Sequence, residues 1–320
     1  MRKCSYKGCN APDTNCHRGE ASLSECSFWN KGASSADDAA EVPNADGVRL
    51  PWSGAALGTI DLAFLTGRSE PKLVGLVGPH NAGKTTLLGL FYQQVGRSGR
   101  AGDSRFAGSY SLEGWEAIAH ALRWEGSVPR FPLHTSSGTG RRPGLLHLAL
   151  RNDRGLLSDV LFADSPGEWF QRWAVDAAAP DAEGARWLAE RASAILVTAD
   201  CEALSGPDRG QARSDATALL RRVASERRDR PVALVWTKAD KSVPVAIRNA
   251  VTEAAMRVMP DIVTFETSVV EFESGGERIQ PVSSVTAILD WMTERLKPGF
   301  ELVRPAHAGT DPFFAIGAAA

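Results

Sequence analysis

The sequence contains no long hydrophobic run and carries almost no net charge. No apolar stretch approaches the roughly 20 residues that a membrane-spanning helix needs, and the segment from Met1 to Cys4 does not open the apolar core of a signal peptide. A formal net charge of −2 argues against general binding to nucleic acids or to anionic membranes. We therefore expect a cytoplasmic protein with no membrane span and no nucleic-acid partner.

Cysteine is nearly absent beyond residue 26, where only Cys201 is found. A cytosolic chain has little use for disulfides, so thiols gathered at one end of the chain predict a zinc site. The expected ligands are Cys4, Cys9, Cys16 and Cys26, and the neighbouring His17 is a substitute ligand. Their spacing is looser than the usual pair of zinc ligands separated by two residues, so free or reactive thiols and disulfides remain alternatives. We expect Cys201 to be a buried structural thiol.

The length and composition predict one large domain and a small appendage. The chain has 320 residues, of which 43% are hydrophobic, enough to bury a full core. We expect a Cys-rich segment at residues 1–30 and a linker at 31–50, where Ala, Ser and Asp leave little to bury. The main domain is expected at 51–297, and residues 298–320 read as a tail.

A phosphate-binding loop is predicted within Lys72 to Leu90, KLVGLVGPHNAGKTTLLGL. An apolar strand is followed by G-x-x-x-x-G-K-T and then by an apolar helix start, which is the context that a P-loop requires. Two glycines let the backbone N–H groups point inward, and the helix adds its positive N-terminal end. We expect Lys84 to contact the β and γ phosphates and Thr85 to bind Mg²⁺. The other residues predicted to contact nucleotide here are Gly78, Asn81, Ala82, Gly83 and Thr86.

A second motif follows the strand Val160 to Ala163, which leads into Asp-Ser-Pro-Gly-Glu at residues 164–168. Asp164 is expected to hold Mg²⁺ through water, and the N–H of Gly167 to face the γ phosphate. Three aromatic residues come next, at positions 169, 170 and 173. Exposed, they would form a partner surface; buried, they would anchor the switch helix, which is the interpretation we favour.

Two further strands end in residues suited to a guanine base. Val232 to Trp236 leads into Thr237-Lys238-Ala239-Asp240, and Ile262 to Phe265 leads into Glu266-Thr267-Ser268-Val269. A carboxylate at Asp240 can accept two hydrogen bonds from a guanine edge, whereas adenine offers no matching pair of donors. The stem of Lys238 can cover the base, and a backbone N–H near Ser268 and Val269 can read the guanine oxygen. Each motif alone is weak, but four in order, each closing an apolar strand, are a strong signal.

The segment from Gly96 to Gly144 is long for a connection on the nucleotide face. Apolar residues three and four positions apart predict an amphipathic helix around Trp115, and such an excursion is typical of a lid or a partner surface. It must also supply the threonine that completes Mg²⁺ coordination, for which we choose Thr135, with Thr139 as the alternative. Arg130, Arg141 and Arg142 are candidates for an internal arginine finger, although solvated arginines are commoner.

Apolar strands alternating with helices predict a three-layer α/β domain with a mostly parallel sheet and the ligand at the carboxyl ends of the strands. With GPHNAGKT, DSPGE, TKAD and ETSV in order, the sequence resembles the P-loop GTPases of the translation-factor and Ras-like (TRAFAC) superclass over about Leu50 to Leu296. It is most similar to the bacterial GTPases, including the double-GTPase type, that are proposed to act in conflict or signalling systems. The N-terminal cysteines, the long segment after the P-loop and the stretch FAGSYSLEGWE carry that narrower resemblance. The resemblance implies a six-stranded sheet in which Leu145 to Leu150 runs antiparallel.

These motifs predict a molecular switch that binds GTP or GDP with Mg²⁺ and hydrolyses GTP. We expect an effector or activating protein to recognise the nucleotide state by contacting the switch regions and residues 96–144. A P-loop ATPase and a slow or inactive GTP-binding scaffold with a zinc module are the alternatives. Lys84, Thr135, Gly167 and Glu168 are the expected catalytic residues. The Ras-like pattern has glutamine where this chain has Glu168, and a carboxylate beside the γ phosphate predicts slow turnover. Alternatively, Glu168 is a general base with a raised pKa.

Overall fold

The computed structural model describes residues 56–59, 61–67, 70–123 and 143–296. Its helices are α1 Leu62–Thr66, α2 Lys84–Ser98, α3 Leu112–Ala121, α4 Gly167–Val175, α5 Glu183–Arg191, α6 Cys201–Ser205, α7 Arg209–Glu226, α8 Val245–Val258 and α9 Pro281–Arg295, and a 3₁₀ turn spans Pro180–Ala182. Its strands are β1 Lys72–Val77, β2 Arg100–Ala101, β3 Ser104–Gly108, β4 Gly144–Arg151, β5 Leu157–Asp164, β6 Ala194–Asp200, β7 Val232–Thr237, β8 Val263–Glu266, β9 Phe272–Ser274 and β10 Glu277–Ile279.

The main sheet has eight strands in the order β2-β3-β4-β5-β1-β6-β7-β8. Strands β5, β1, β6, β7 and β8 are parallel, and β4 pairs antiparallel with β5, as the family resemblance implied for this segment. The prediction of six strands is wrong, because β2 and β3 extend the sheet beyond β4 with antiparallel pairing. Part of the segment predicted to be a lid or partner surface is therefore an extension of the sheet.

Helices cover both faces of the sheet, so its central strands are buried on both sides and read as continuous apolar runs. One core lies between the sheet and α4, α5, α7 and α8, and the other between the sheet and α2, α3 and α9. The three layers follow the prediction. Helix α2 ends at Ser98, because Gly99, with φ 67°, takes the left-handed conformation that stops a helix.

A buried histidine joins α3 to the antiparallel part of the sheet. The Nδ1 of His147 accepts a hydrogen bond from the backbone N–H of Tyr110 at 3.0 Å, so its Nε2 carries the proton and donates to Asp159 at 2.8 Å. The indole of Trp115 donates to the carbonyl of His147 at 2.8 Å. These bonds fix the amphipathic helix that the sequence predicted onto β4 and β5. No helix among the described residues is long and apolar enough to cross a membrane.

Candidate nucleotide-binding site

The loop between β1 and α2 has the backbone of a phosphate cradle. Asn81 and Gly83 have φ angles of 60° and 75°, and this left-handed conformation turns successive N–H groups to one side. A Cβ at Gly78 would lie 1.8 Å from the Oγ1 of Thr198 on β6, so only glycine lets the loop leave the sheet here. The two glycines of the motif therefore have separate roles, one in packing and one in conformation.

Lys84 is held over this loop. Its Nζ donates to the carbonyl oxygens of Gly78 and Pro79 at 3.1 and 2.8 Å. Burial lowers the pKa of Lys84 to about 8, although the charges of Asp164 and Glu168 act to raise it. A buried ammonium near neutral pH is suited to binding phosphate, which would supply the negative charge that the loop carbonyls lack.

The two predicted magnesium ligands of the described chain lie together. The Oγ1 of Thr85, at the start of α2, donates to Oδ1 of Asp164, at the end of β5, over 3.0 Å. A hydroxyl and a carboxylate are oxygen ligands that Mg²⁺ prefers, and the ion usually takes few protein ligands beside phosphates and water. The arrangement fits Mg²⁺ even though the described residues hold no group of three His, Cys, Asp or Glu side chains. Thr86 follows Thr85 and is half-buried.

The second motif touches the P-loop. Gly167 begins α4, and a Cβ there would lie 2.2 Å from the backbone nitrogen of His80. One residue on, Oε1 of Glu168 lies 2.9 Å from Nδ1 of His80. Sequence reasoning missed His80, because it fills a variable position of G-x-x-x-x-G-K-T and nothing near it in the sequence indicates its partner.

Helix α4 is fastened to the core. Trp169, Phe170 and Trp173 are buried, as favoured from the sequence. Gly184 of α5 lies against the ring of Trp169, where a Cβ would approach to 2.2 Å, and the guanidinium of Arg222 donates to the carbonyl of Trp173 at 3.0 Å. The aromatic residues therefore anchor this helix.

The predicted base end of the site is formed where β7 and β8 end. The two segments there are hydrogen-bonded to each other, and the first is also hydrogen-bonded to the P-loop. The Oγ1 of Thr237 donates to the carbonyl of Ala82 at 2.9 Å, and Ser268 donates to Oδ1 of Asp240 at 2.6 Å. The Nζ of Lys241 lies 3.0 Å from Oδ2 of Asp240. Burial acts to raise the pKa of Asp240, but hydrogen bonds from Ser268 and Lys241 outweigh it and hold that pKa below its usual value. Asp240 is thus a charged acceptor.

Lys238 is held by two acidic residues that sequence reasoning also missed. Its Nζ lies 2.9 Å from Oδ2 of Asp200 and 2.7 Å from Oε2 of Glu202. Burial acts to lower the pKa of Lys238, but these bonds outweigh it and raise the pKa. Asp200 ends β6 beside β7, so its place at the carboxyl end of a parallel strand was the signal that could have indicated it. Val269 follows the buried Ser268 and is half-buried.

Several predicted residues lie outside the part of the chain that the structure describes. They are Thr135, Thr139, Arg130, Arg141 and Arg142 of the long excursion, and Cys4, Cys9, Cys16, Cys26 and His17 of the N-terminal segment. The linker at 31–50 and the tail at 298–320 also lie outside. The roles given to these residues stay predictions. Cys201 is described, and it is buried as predicted.

Among curated proteins, none matches this chain. Two solved structures of Era are among those it is similar to. One is Era in complex with MgGDPNP and nucleotides 1506–1542 of 16S ribosomal RNA, with 17% identity and a TM-score of 0.37. The other is a variant of Aquifex aeolicus Era bound to GDP.AlF4-, with 16% identity and a TM-score of 0.36. Each similarity covers 73% of this chain and 60% of the Era chain.

The family described as Double-GTPase 2 matches residues 72–292. That range begins at the first residue of β1 and ends within α9, so it contains all four motifs and most of the chain. The resemblance to P-loop GTPases, and to the double-GTPase type among them, is confirmed. This chain belongs to the Double-GTPase 2 family.

Proposed function

We propose that this protein binds GTP with Mg²⁺ and hydrolyses it to GDP and phosphate, as a nucleotide-dependent switch. The observation that carries the proposal is that four separated motifs meet at the carboxyl edge of one sheet. Lys84 and the pair Thr85–Asp164 lie at one end, and Asp240 with Ser268 at the other. A nucleoside triphosphate bound along this edge would have its base at the carboxylate of Asp240 and its phosphates at the P-loop.

The preference for guanine rests on Asp240. Its ionised carboxylate can accept from both donors of a guanine edge, whereas adenine offers no matching pair of donors and would leave the desolvated carboxylate incompletely bonded. Titration calorimetry with GTP and ATP, each with Mg²⁺, tests this preference. We expect GTP to bind at least about a hundredfold more tightly. Equal affinities would favour a P-loop ATPase instead.

The reaction is an in-line displacement. A water oxygen forms a bond to the γ phosphorus while the bond to the β–γ bridging oxygen breaks, and the protons of the water remain on the released phosphate or pass to solvent. Lys84 and Mg²⁺, held by Thr85 and Asp164, would offset the charge of the phosphates, and the N–H of Gly167 would bind the γ phosphate. We expect a slow unassisted rate, on the order of 10⁻⁴ s⁻¹, because Glu168 replaces a neutral amide.

The variant Glu168→Gln separates two roles for this carboxylate. If Glu168 only orients water, an amide does so without repelling the γ phosphate, and turnover holds or rises. If Glu168 is the general base, turnover falls by about 10² or more while GTP affinity is unchanged. Single-turnover hydrolysis of radiolabelled GTP gives the rate in each case.

A partner would read the nucleotide state beside α4. A cavity of about 520 Å³ lies between α4 and α7 and includes Pro79 and Glu168 in its lining, so it adjoins the phosphate end. Its wall is apolar at Val175, which is 85% exposed, and acidic at Asp176 and Asp215, whereas Asp181 is paired with Arg172 of the same wall at 3.4 Å. We therefore propose an effector or activating protein with a basic, partly apolar contact surface, in a bacterial conflict or signalling system. Turnover measured alone and with the products of neighbouring genes tests this; no change with any of them would favour a slow scaffold.

The Cys-rich segment is proposed to hold one zinc ion through Cys4, Cys9, Cys16 and Cys26. Some thirty residues with few apolar side chains cannot fold by burial alone, so a metal would supply their order. Elemental analysis of protein purified without a histidine tag tests the site. We expect one equivalent of zinc. Less than about half an equivalent, together with four titratable thiols, would contradict the proposal.

A further inference from the structure

We propose that His80, a variable residue of the P-loop, positions Glu168 for hydrolysis. The inference rests on the proposed GTPase function and adds a residue to it. His80 and Glu168 are 88 positions apart in sequence, and their contact joins the loop that would hold the phosphates to the turn that would hold the attacking water.

The geometry fixes which atom donates. Nδ1 of His80 lies 2.9 Å from Oε1 of Glu168. An ionised carboxylate can only accept, so the proton is on Nδ1 and the imidazole donates it. The side chains are 44% and 49% exposed, so the pair lies at the surface of the site, within reach of solvent and of a bound triphosphate.

The backbone holds the two residues at this distance. Gly167 is so close to His80 and Pro79 that a Cβ at Gly167 would approach their backbone atoms to between 2.2 and 2.4 Å. The aromatic side chains that follow Glu168 are buried, which fixes the start of α4 in turn. The contact between His80 and Glu168 is therefore set by one close backbone approach and by the buried aromatic side chains of α4.

The contact with His80 counteracts the repulsion that a γ phosphate would exert on the carboxylate of Glu168. A free carboxylate beside the γ phosphate is repelled and swings away from the water. A hydrogen bond from His80 to Oε1 holds the carboxylate at the loop and leaves Oε2 to accept a hydrogen bond from water. The ammonium of Lys84 also interacts favourably with the charge of Glu168.

A purely structural role would give a different result. An ion pair between half-exposed groups contributes little to the stability of a fold. Loss of His80 should therefore leave the melting temperature nearly unchanged and act on the rate of the chemical step. The affinity for GDP, which has no γ phosphate, should also be unchanged.

The test uses the full chain and measures GDP affinity, GTP affinity and single-turnover hydrolysis. We expect His80→Ala to slow hydrolysis by about tenfold to a hundredfold with both affinities within about threefold of the parent. His80→Asn should retain most of the rate, because its amide N–H takes about the place of Nδ1–H. In a Glu168→Ala background, His80→Ala should have no further effect, since the two residues act as a unit. The matched control is His120→Ala, an exposed histidine at the end of α3, which should match the parent.

Three results would overturn the inference. They are a His80→Ala rate equal to that of the parent, equal losses in His80→Ala and His80→Asn, and effects of His80→Ala and Glu168→Ala that multiply. If His80→Ala impairs the loop and nucleotide binding fails, a rate in His80→Asn that is about tenfold or more below the parent would still overturn the inference. A parent that binds no GTP contradicts the proposed function itself, whereas a parent that turns over GTP alongside an unaffected His80→Ala contradicts only the role of His80.

Discussion

The base end and the phosphate end of the site are built differently. At the base end, Asp240 and Lys238 are bonded to residues of two other segments, and Thr237 is hydrogen-bonded to the P-loop. At the phosphate end, the turn that carries Gly167 and Glu168 meets the loop at His80 and Pro79, and the predicted Thr135 belongs to a segment outside the described residues. In the proposed function, selection of the base would therefore depend on hydrogen bonds that are already formed, and hydrolysis would depend on the contact between the P-loop and the turn that carries Glu168.

The difference has a consequence for switching. Because α4 is anchored by Trp169, Phe170 and Trp173, melting this helix would expose three large aromatic side chains, at about 1.5–3 kcal/mol each. A movement of the turn at 164–168 would cost less free energy, because it can leave these side chains buried. We expect small movements at the phosphate end and almost none at the base end.

The largest effect, on the rate of hydrolysis, is expected from Gly167→Ala. The new Cβ would lie 2.2 Å from the backbone nitrogen of His80, and ordinary contact begins at 3.4 Å, so the turn must move by roughly 1 Å. We expect single-turnover hydrolysis to fall by about 10² or more. GDP affinity should hold, since the base end is untouched.

The control for this variant is Gly96→Ala. Gly96 lies in α2, is exposed, and has no atom within 4 Å of an added Cβ. Replacing glycine by alanine inside a helix should add about 0.5–1 kcal/mol to the free energy of unfolding and leave the rate unchanged. Normal hydrolysis in Gly167→Ala would show that the close approach of the two loops is not required.

The second effect is expected at the base end, from Asp240→Asn. The amide replaces one acceptor by a donor and leaves a guanine donor unpaired, which costs about 1–3 kcal/mol, or roughly tenfold to a hundredfold in GTP affinity. The rate at saturating GTP should be unchanged, the reverse of Gly167→Ala. The variant should also gain affinity for xanthosine triphosphate. Parental GTP affinity in Asp240→Asn would make the guanine assignment wrong.

The third effect is a decrease in GTP affinity of up to about tenfold per unit of pH above pH 8. Burial lowers the pKa of Lys84 to about 8, so the ammonium is present below that pH and is lost as the pH rises through it. Bound phosphates favour the ammonium, and GTP affinity should therefore fall by up to about tenfold per pH unit above pH 8. Calorimetry at pH 7, 8 and 9 measures the slope. In Lys84→Arg the side chain stays charged, so affinity should be flat over this range, whatever its absolute value.

The sequence predicted those parts of the molecule whose signals are local. Each motif follows its own apolar strand at a fixed spacing, so Thr85, Asp164 and Asp240 could be assigned and their meeting at one sheet edge anticipated. The hairpin β2–β3 could not be predicted in the same way. Residues 104–108 form a short strand with no buried residue and no alternating apolar pattern, and this strand joins the rest of the sheet by pairing with β4, which lies beyond the long excursion.

The difference between local signals and tertiary contacts also explains which site residues could be predicted. His80 has a meaning only because Gly167 brings another loop against it, and Glu202 only because α6 follows β6 beside Lys238. Such contacts depend on tertiary approach and leave no periodic or spaced pattern. Asp200 lies between these two groups. It could have been indicated by the rule that also indicates Asp164 and Asp240, which is that ligand-binding residues follow the carboxyl ends of parallel strands.

The smallest effect is expected where the base end is most exposed. Lys238 bonds to Asp200 and Glu202, whose side chains are 6% and 57% exposed. An exposed ion pair contributes little, so Glu202→Gln should lower GTP affinity by less than about threefold. Asp200→Asn should cost more, because Asp200 is buried and its Oδ1 accepts the backbone N–H of Glu202 at 2.9 Å, so the amide that keeps this bond turns its NH2 group toward the ammonium of Lys238. Calorimetry on both variants, with ATP as the competing ligand, measures the ranking. A loss in Glu202→Gln as large as that in Asp200→Asn would mean that the exposed carboxylate positions Lys238, and that the base end is less completely formed beforehand than the contacts of Asp240 indicate.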